Sequence, residues 1–130
     1  MLSFGCGSKE VVSDDHATAH LKVLGILYGQ YMADNGGKAP SSADQLADYL
    51  QREPANWEKM AASPQEFLGS RSDGSKLVVL YGSDVKAIGG GAPWVAYEAA
   101  EHDGARMVVN AQGGVQRMKA SEFSQLFPNP

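Results

Sequence analysis

His16 and His20 stand four residues apart, a spacing that puts two imidazoles on one face of a helix. Such a pair is a half-built site for zinc or copper. Asp15 lies beside it, and His102 would add a third ligand only if the fold brought its turn close. Position 17 is Ala, so the Glu of a helical zinc-protease motif is missing. A solvated helix face is the more ordinary explanation, and no metal is assigned. His102 sits in Glu101-His102-Asp103-Gly104, where a carboxylate could orient it as a general base. Asp103-Gly104 is equally what a tight hairpin turn demands, because both residues tolerate positive φ. No Ser or Cys occupies a nucleophile-elbow context, so no enzyme and no cofactor are expected. Gly89-Gly90-Gly91 lacks the helix start and Lys-Ser/Thr of a nucleotide loop. Asp73 and Asp84 are too few to hold calcium.

The elements around these residues follow from periodicity. Ser13 can cap a helix whose first turn carries Asp14 and Asp15. Ala17, Leu21, Leu24, Tyr28, Tyr31 and Met32 recur at spacings of three and four, one helical stripe that Val23, Ile26 and Leu27 broaden. Asn35-Gly36-Gly37 stops that helix, and Gly25 and Gly29 within it permit close packing on another element. Ser42-Ala43-Asp44-Gln45 reads as a capping box opening a second helix with Leu46, Tyr49 and Leu50 inside. Trp57, Met60 and Phe67 anchor an irregular or partly helical stretch.

Strands dominate the rest. Leu77-Val78-Val79-Leu80-Tyr81 is a continuous apolar run that reads as a central strand. Residues 82–93 form a loop, and Trp94–Glu98, Arg106–Asn110 and Val115–Met118 are short strands parted by Gly-bearing turns. Ser121 can cap a last helix carrying Phe123, Leu126 and Phe127. Helices gathered ahead of strands predict an α+β fold, a long N-terminal helix packed on a small antiparallel sheet of about four strands, with short second and C-terminal helices.

Composition narrows the function classes. The net charge is −4 and the 11 basic residues are scattered, which argues against a nucleic-acid surface, since phosphates need clustered cations. Apolar residues make up 43% of 130 positions, enough for one domain with a core. No stretch reaches the roughly 18 apolar residues of a membrane span.

Two resemblances give direction. Leu2-Ser3-Phe4-Gly5-Cys6-Gly7-Ser8 resembles the cleavage site of a bacterial lipoprotein, although Ser3 stands where Leu is usual. It implies a lipidated Cys6 as mature N-terminus, a signal-peptide remnant and tether over 1–12, and a domain over 13–130. The location implied is extracytoplasmic, in the periplasm or cell envelope, with the membrane reached through the lipid anchor. The helix-then-meander order, with Leu24, Tyr28, Tyr31, Gly36, Pro40, Ser42 and Leu46, is similar to type IV pilin and type II secretion pseudopilin heads. Within that group it resembles the prepilin-type processing-associated family, whose signature is His, nine residues, then Asp-Gly. Here His102 is followed by nine residues and Gln112-Gly113. Gln112 replaces the signature Asp, and the apolar half-helix that pilins polymerise through is absent. The resemblance implies a non-enzymatic structural or interaction module whose partners are other envelope or secretion-system proteins, met on the exposed side of the sheet or the loop at 82–93. The alternative is a soluble small-ligand or metal-binding module using His16 and His20, and a weaker one is a hydrolase built around His102.

Overall fold

A computed structural model describes residues 15–52, 56–70, 75–82, 85 and 92–127, with the side chains of Asp15, His16, Ala17 and Asn56 left outside the description. Helix α1 spans Asp15–Asp34, α2 Ala43–Arg52, α3 Pro64–Gly69 and α4 Ala120–Leu126, with a 3-10 turn at Asn56–Lys59. The strands are β1 Leu77–Val79, β2 Trp94–Glu98, β3 Ala105–Asn110 and β4 Val115–Lys119. They pair antiparallel in chain order, β1-β2-β3-β4. The fold is α+β, with the long helix ahead of a four-stranded meander. The tether at 1–12, the Ser13 cap, Asp73, Asp84 and Gly89-Gly90-Gly91 lie outside the described residues.

Helix α1 is held by its stripe. Leu21, Leu24 and Tyr28 are fully or almost fully buried, and they join Leu46 and Leu50 of α2, Phe67 of α3 and Val95 and Val109 of the sheet in one core. Each buried Leu contributes about 1.5–3 kcal/mol relative to exposure. The broad stripe expected of α1 is narrower than its sequence suggests, since Ile26 is 42% exposed. The helix lies close on the sheet because Gly25 and Gly29 present no side chain. A Cβ at Gly25 would overlap the Asn110 carbonyl oxygen and stand 2.7 Å from Val109 Cγ2. One at Gly29 would overlap the Ala111 carbonyl oxygen. The helix stops as expected: Gly37 N–H donates to Met32 O at 2.7 Å, with Gly36 and Gly37 at positive φ.

The short helices are set by caps. Ser42 Oγ accepts from Gln45 N–H at 3.3 Å, but Gln45 Oε1 reaches back to Ser41 N–H (2.8 Å) rather than to Ser42. The partly helical stretch contains a true helix, α3. Ser63 Oγ accepts from Glu66 N–H at 3.1 Å, and Glu66 Oε1 accepts from Ala62 N–H at 2.7 Å. The last helix starts two residues earlier than a Ser121 cap would have it. Its cap is Lys119, whose N–H donates to Glu122 Oε1 at 3.3 Å.

Two features of the sheet differ from expectation. The apolar run from Leu77 forms only a three-residue strand, and β1 is an edge strand rather than a central one. The run is apolar because both its faces are covered: Leu77 and Val79 belong to the α1 side, Val78 and Leu80 to the other. In β2 the register slips between Trp94 and Ala96. This irregularity sets Val95 and Ala96 together in the α1-side core, while Trp94 and Tyr97 pack on the opposite side. There α4 closes a second core of Tyr97, Val108, Met118, Phe123 and Phe127. The sheet side expected to be open is thus largely capped by α4.

Candidate functional site

The β2–β3 hairpin gathers the titratable candidates. Asp103 and Gly104 adopt φ of 58° and 79°, the left-handed pair of a two-residue turn. His102 and Ala105 bracket it, with His102 N–H donating to Ala105 O at 2.7 Å and Ala105 N–H donating to His102 O at 3.2 Å. Turn chemistry therefore accounts for Asp103-Gly104. Gly104 O also accepts from Ala120 N–H at 3.0 Å, which ties the start of α4 to the same turn.

His102 projects outward, its side chain 57% exposed, with Nε2 3.9 Å from Glu98 Oε2. That separation exceeds a hydrogen bond. Glu98 is 5% exposed at the side chain, and its Oε1 accepts from Met107 N–H at 2.6 Å. A carboxylate here takes the place of a strand partner, which explains how a buried acid is accommodated. Arg106 completes the cluster. Its Nη1 donates to the carbonyls of Glu98 (3.2 Å) and Ala99 (3.1 Å). Its Nη2 lies 3.5 Å from Glu101 Oε2, and its guanidinium sits 4.1 Å over the Phe123 ring. Arg117 Nη2 donates to His102 O at 3.0 Å. Both arginines donate to backbone carbonyls of the hairpin and Glu98 accepts from a backbone amide, while the Arg106 guanidinium also packs on the Phe123 ring of α4. The arrangement is a brace for the hairpin, with His102 and Glu101 on its outer surface. Sequence reasoning missed Glu98 and Arg106, and the one signal was an acid closing an apolar strand with a cation opening the next.

The other half of the family-like signature lies at the β3–β4 turn. Asn110 Oδ1 accepts from Gln112 N–H and from Gly114 N–H, both at 2.9 Å. Gln112 is exposed. Gly113 is at φ 85°, and a Cβ there would stand 2.7 Å from Ile26 Cγ1. His102 and Gln112 sit in successive turns of the meander, one after β2 and one after β3.

One member of the histidine pair on α1, His20, does not lie on a solvated face. His20 is fully buried, stacked on Phe67 with ring centroids 4.5 Å apart. Its Nε2 is 2.8 Å from Phe67 O. A metal at His20 would have to enter the core, whether it approached Nδ1 or took the place of that bond. Among the described residues, no group of three or more His, Cys, Asp or Glu side chains converges on a metal position. The His16 side chain and Cys6 lie outside the description.

Surface depressions also occur among the described residues. A polar cleft of about 310 Å³ is lined by Asp34, Asn35, Tyr49 and Arg52 where α1 and α2 end. An apolar groove of about 240 Å³ runs beside β1, lined by Ala43, Leu68, Leu77, Val79 and Tyr81 among others. Among the described residues, no helix is long and apolar enough to cross a membrane. No family model matches the sequence, and neither a curated protein nor a solved structure shows significant similarity to it.

Proposed function

We propose that this protein is a non-enzymatic, extracytoplasmic interaction module with the plan of a pilin or pseudopilin head, lipid-anchored through Cys6. The observation that carries the reading is the seating of α1 on a meander of four consecutive strands through Gly25 and Gly29. Support also comes from the lipoprotein-like Leu2–Ser8 stretch, whose Cys6 stands nine positions ahead of α1. The partners are other proteins of the envelope or of a secretion assembly. Glu98 and Arg106 are committed to holding the hairpin, which favours an architectural role for that end over acid–base catalysis. The test is intact and N-terminal peptide mass spectrometry on protein from its native cells, with fractionation of those cells. A mature protein beginning at acylated Cys6, recovered with membranes, is expected. An unmodified Met1 in the soluble fraction would overturn the anchoring and the location together.

A further inference from the structure

The junction between α1 and α2 carries a chemistry that the interaction reading does not use. Asn35 is followed by Gly36, and both are exposed. Gly36 stands at φ 70° with open space where a Cβ would be. Glycine carries no Cβ to crowd the approach of its own backbone nitrogen to the neighbouring side chain. The flanking amides are held, Asn35 N–H by Met32 O at 3.1 Å and Gly37 N–H by Met32 O at 2.7 Å. The Gly36 amide donates to no group among the described residues. Among the described residues, the one hydrogen bond of the side chain is from Asn35 Nδ2, which donates to Tyr31 O at 2.7 Å in an exposed setting. Such a hydrogen bond contributes only about 0.5–1.5 kcal/mol net, too little to keep the side chain from sampling other rotamers.

We propose that Asn35-Gly36 is a spontaneous deamidation site that adds a second carboxylate at the end of α1, beside Asp34. The Gly36 nitrogen attacks Asn35 Cγ, and a new bond from that nitrogen to Cγ forms as the Asn35 Cγ–Nδ2 bond breaks. The Gly36 amide proton and the Asn35 NH₂ leave as ammonia, giving a five-membered imide. Water then opens the imide at either carbonyl, so the products are Asp and its β-linked isomer. No oxidant or cofactor enters, and the sum is amide plus water to carboxylic acid plus ammonia.

The position gives the reaction a consequence. The new carboxylate stands next to Asp34, whose Oδ2 accepts from Tyr49 O–H at 2.8 Å and so clasps α1 to α2. It also stands at the carbonyl end of α1, where the helix dipole disfavours an anion. The donor to Tyr31 O is lost at the same step. Across the polar cleft the new charge shares its walls with Arg52. Deamidation therefore rewrites the charge of that cleft and loosens the end of α1.

The test is timed incubation of the folded protein at mildly alkaline pH, beside a urea-unfolded sample, followed by trypsin and mass spectrometry. The peptide Val23–Lys38 carries Asn35 as its only Asn. Native protein is expected to accumulate paired Asp and β-linked products in that peptide, faster as pH rises, while the peptide bearing Asn110-Ala111 stays amidated. Persistence of the amide in the native sample, whether or not the unfolded one converts, would overturn the proposal. Conversion to Asp without the β-linked isomer would overturn the imide route.

Discussion

Replacing Gly29 by Ala separates two forces that act with opposite sign. On an isolated helix the change stabilises, because Ala is about 0.5–1 kcal/mol better than Gly in a helix interior. In this fold the added Cβ would overlap the Ala111 carbonyl oxygen and stand 3.1 Å from the Ala111 carbonyl carbon. Both are backbone atoms on the β3–β4 turn, a turn already fixed by two hydrogen bonds to Asn110. No flexible side chain can yield, so α1 must lift from the sheet along its central turns. Overpacking of this kind costs about 1–3 kcal/mol, and a backbone contact belongs at the upper end. After subtracting propensity, the net expectation is a loss of roughly 2 kcal/mol. Equilibrium urea unfolding reads it as a lower midpoint at unchanged slope. Gln30→Ala and Gln30→Gly, at an exposed position next to Gly29 in the same helix, supply the propensity control, and the Gly variant should be the less stable by about 0.5–1 kcal/mol. A Gly29→Ala variant more stable than wild type would refute the close approach of α1 to the turn.

Three further outcomes are expected. Leu24→Ala should cost about 2–4 kcal/mol in the same urea assay, whereas Val79→Ala, half-buried on the edge strand, should cost distinctly less; equal losses would contradict the burial pattern. Asn110→Ala should cost about 0.5–1.5 kcal/mol, because two turn N–H groups exchange their side-chain acceptor for water, while Gln112→Asp, at an exposed position, should stay within about 0.5 kcal/mol; thermal melts of both variants check the contrast. Burial pushes the Tyr81 hydroxyl up from 10.0 to about 12, and burial, with Tyr81 and Tyr31 nearby, raises Tyr28 further still. A raised acid pKa means the folded state keeps its protons longer, so this contribution is complete below the ordinary tyrosine range and drains away as pH climbs toward 12. Tyrosinate absorbance followed beside circular dichroism should show late-titrating tyrosines that ionise together with unfolding; free ionisation of every tyrosine in a folded protein would sink it.

The elements with strong periodicity were legible from the residues alone. Leu21, Leu24 and Tyr28 defined α1, and Asp103-Gly104 defined the hairpin turn, because both signals are local. The β1 run misled because apolarity reports that both faces of a strand are covered, not where the strand lies in the sheet. Helix α3 was readable in Ser63-Pro64-Gln65-Glu66, a cap followed by Pro at the first helical position. His20 sits four before Leu24, in phase with the buried stripe, and that phase was the available sign of its place in the core. Glu98 had no such sign. Its burial depends on a backbone amide nine residues later, which only the folded hairpin brings within reach.

The meander also bears on how this protein is made. Its strands pair with their sequence neighbours, so each hairpin can close as soon as it is synthesised. Helix α1 has the opposite schedule. The surface that receives Gly25 is built from Val109, Asn110 and Gly113, near the far end of the sequence. During N-to-C synthesis the apolar stripe of α1 is complete long before its seat exists. For that interval Leu21, Leu24 and Tyr28 must be sheltered by something other than the sheet, whether the second helix, a holding chaperone or a translocation channel.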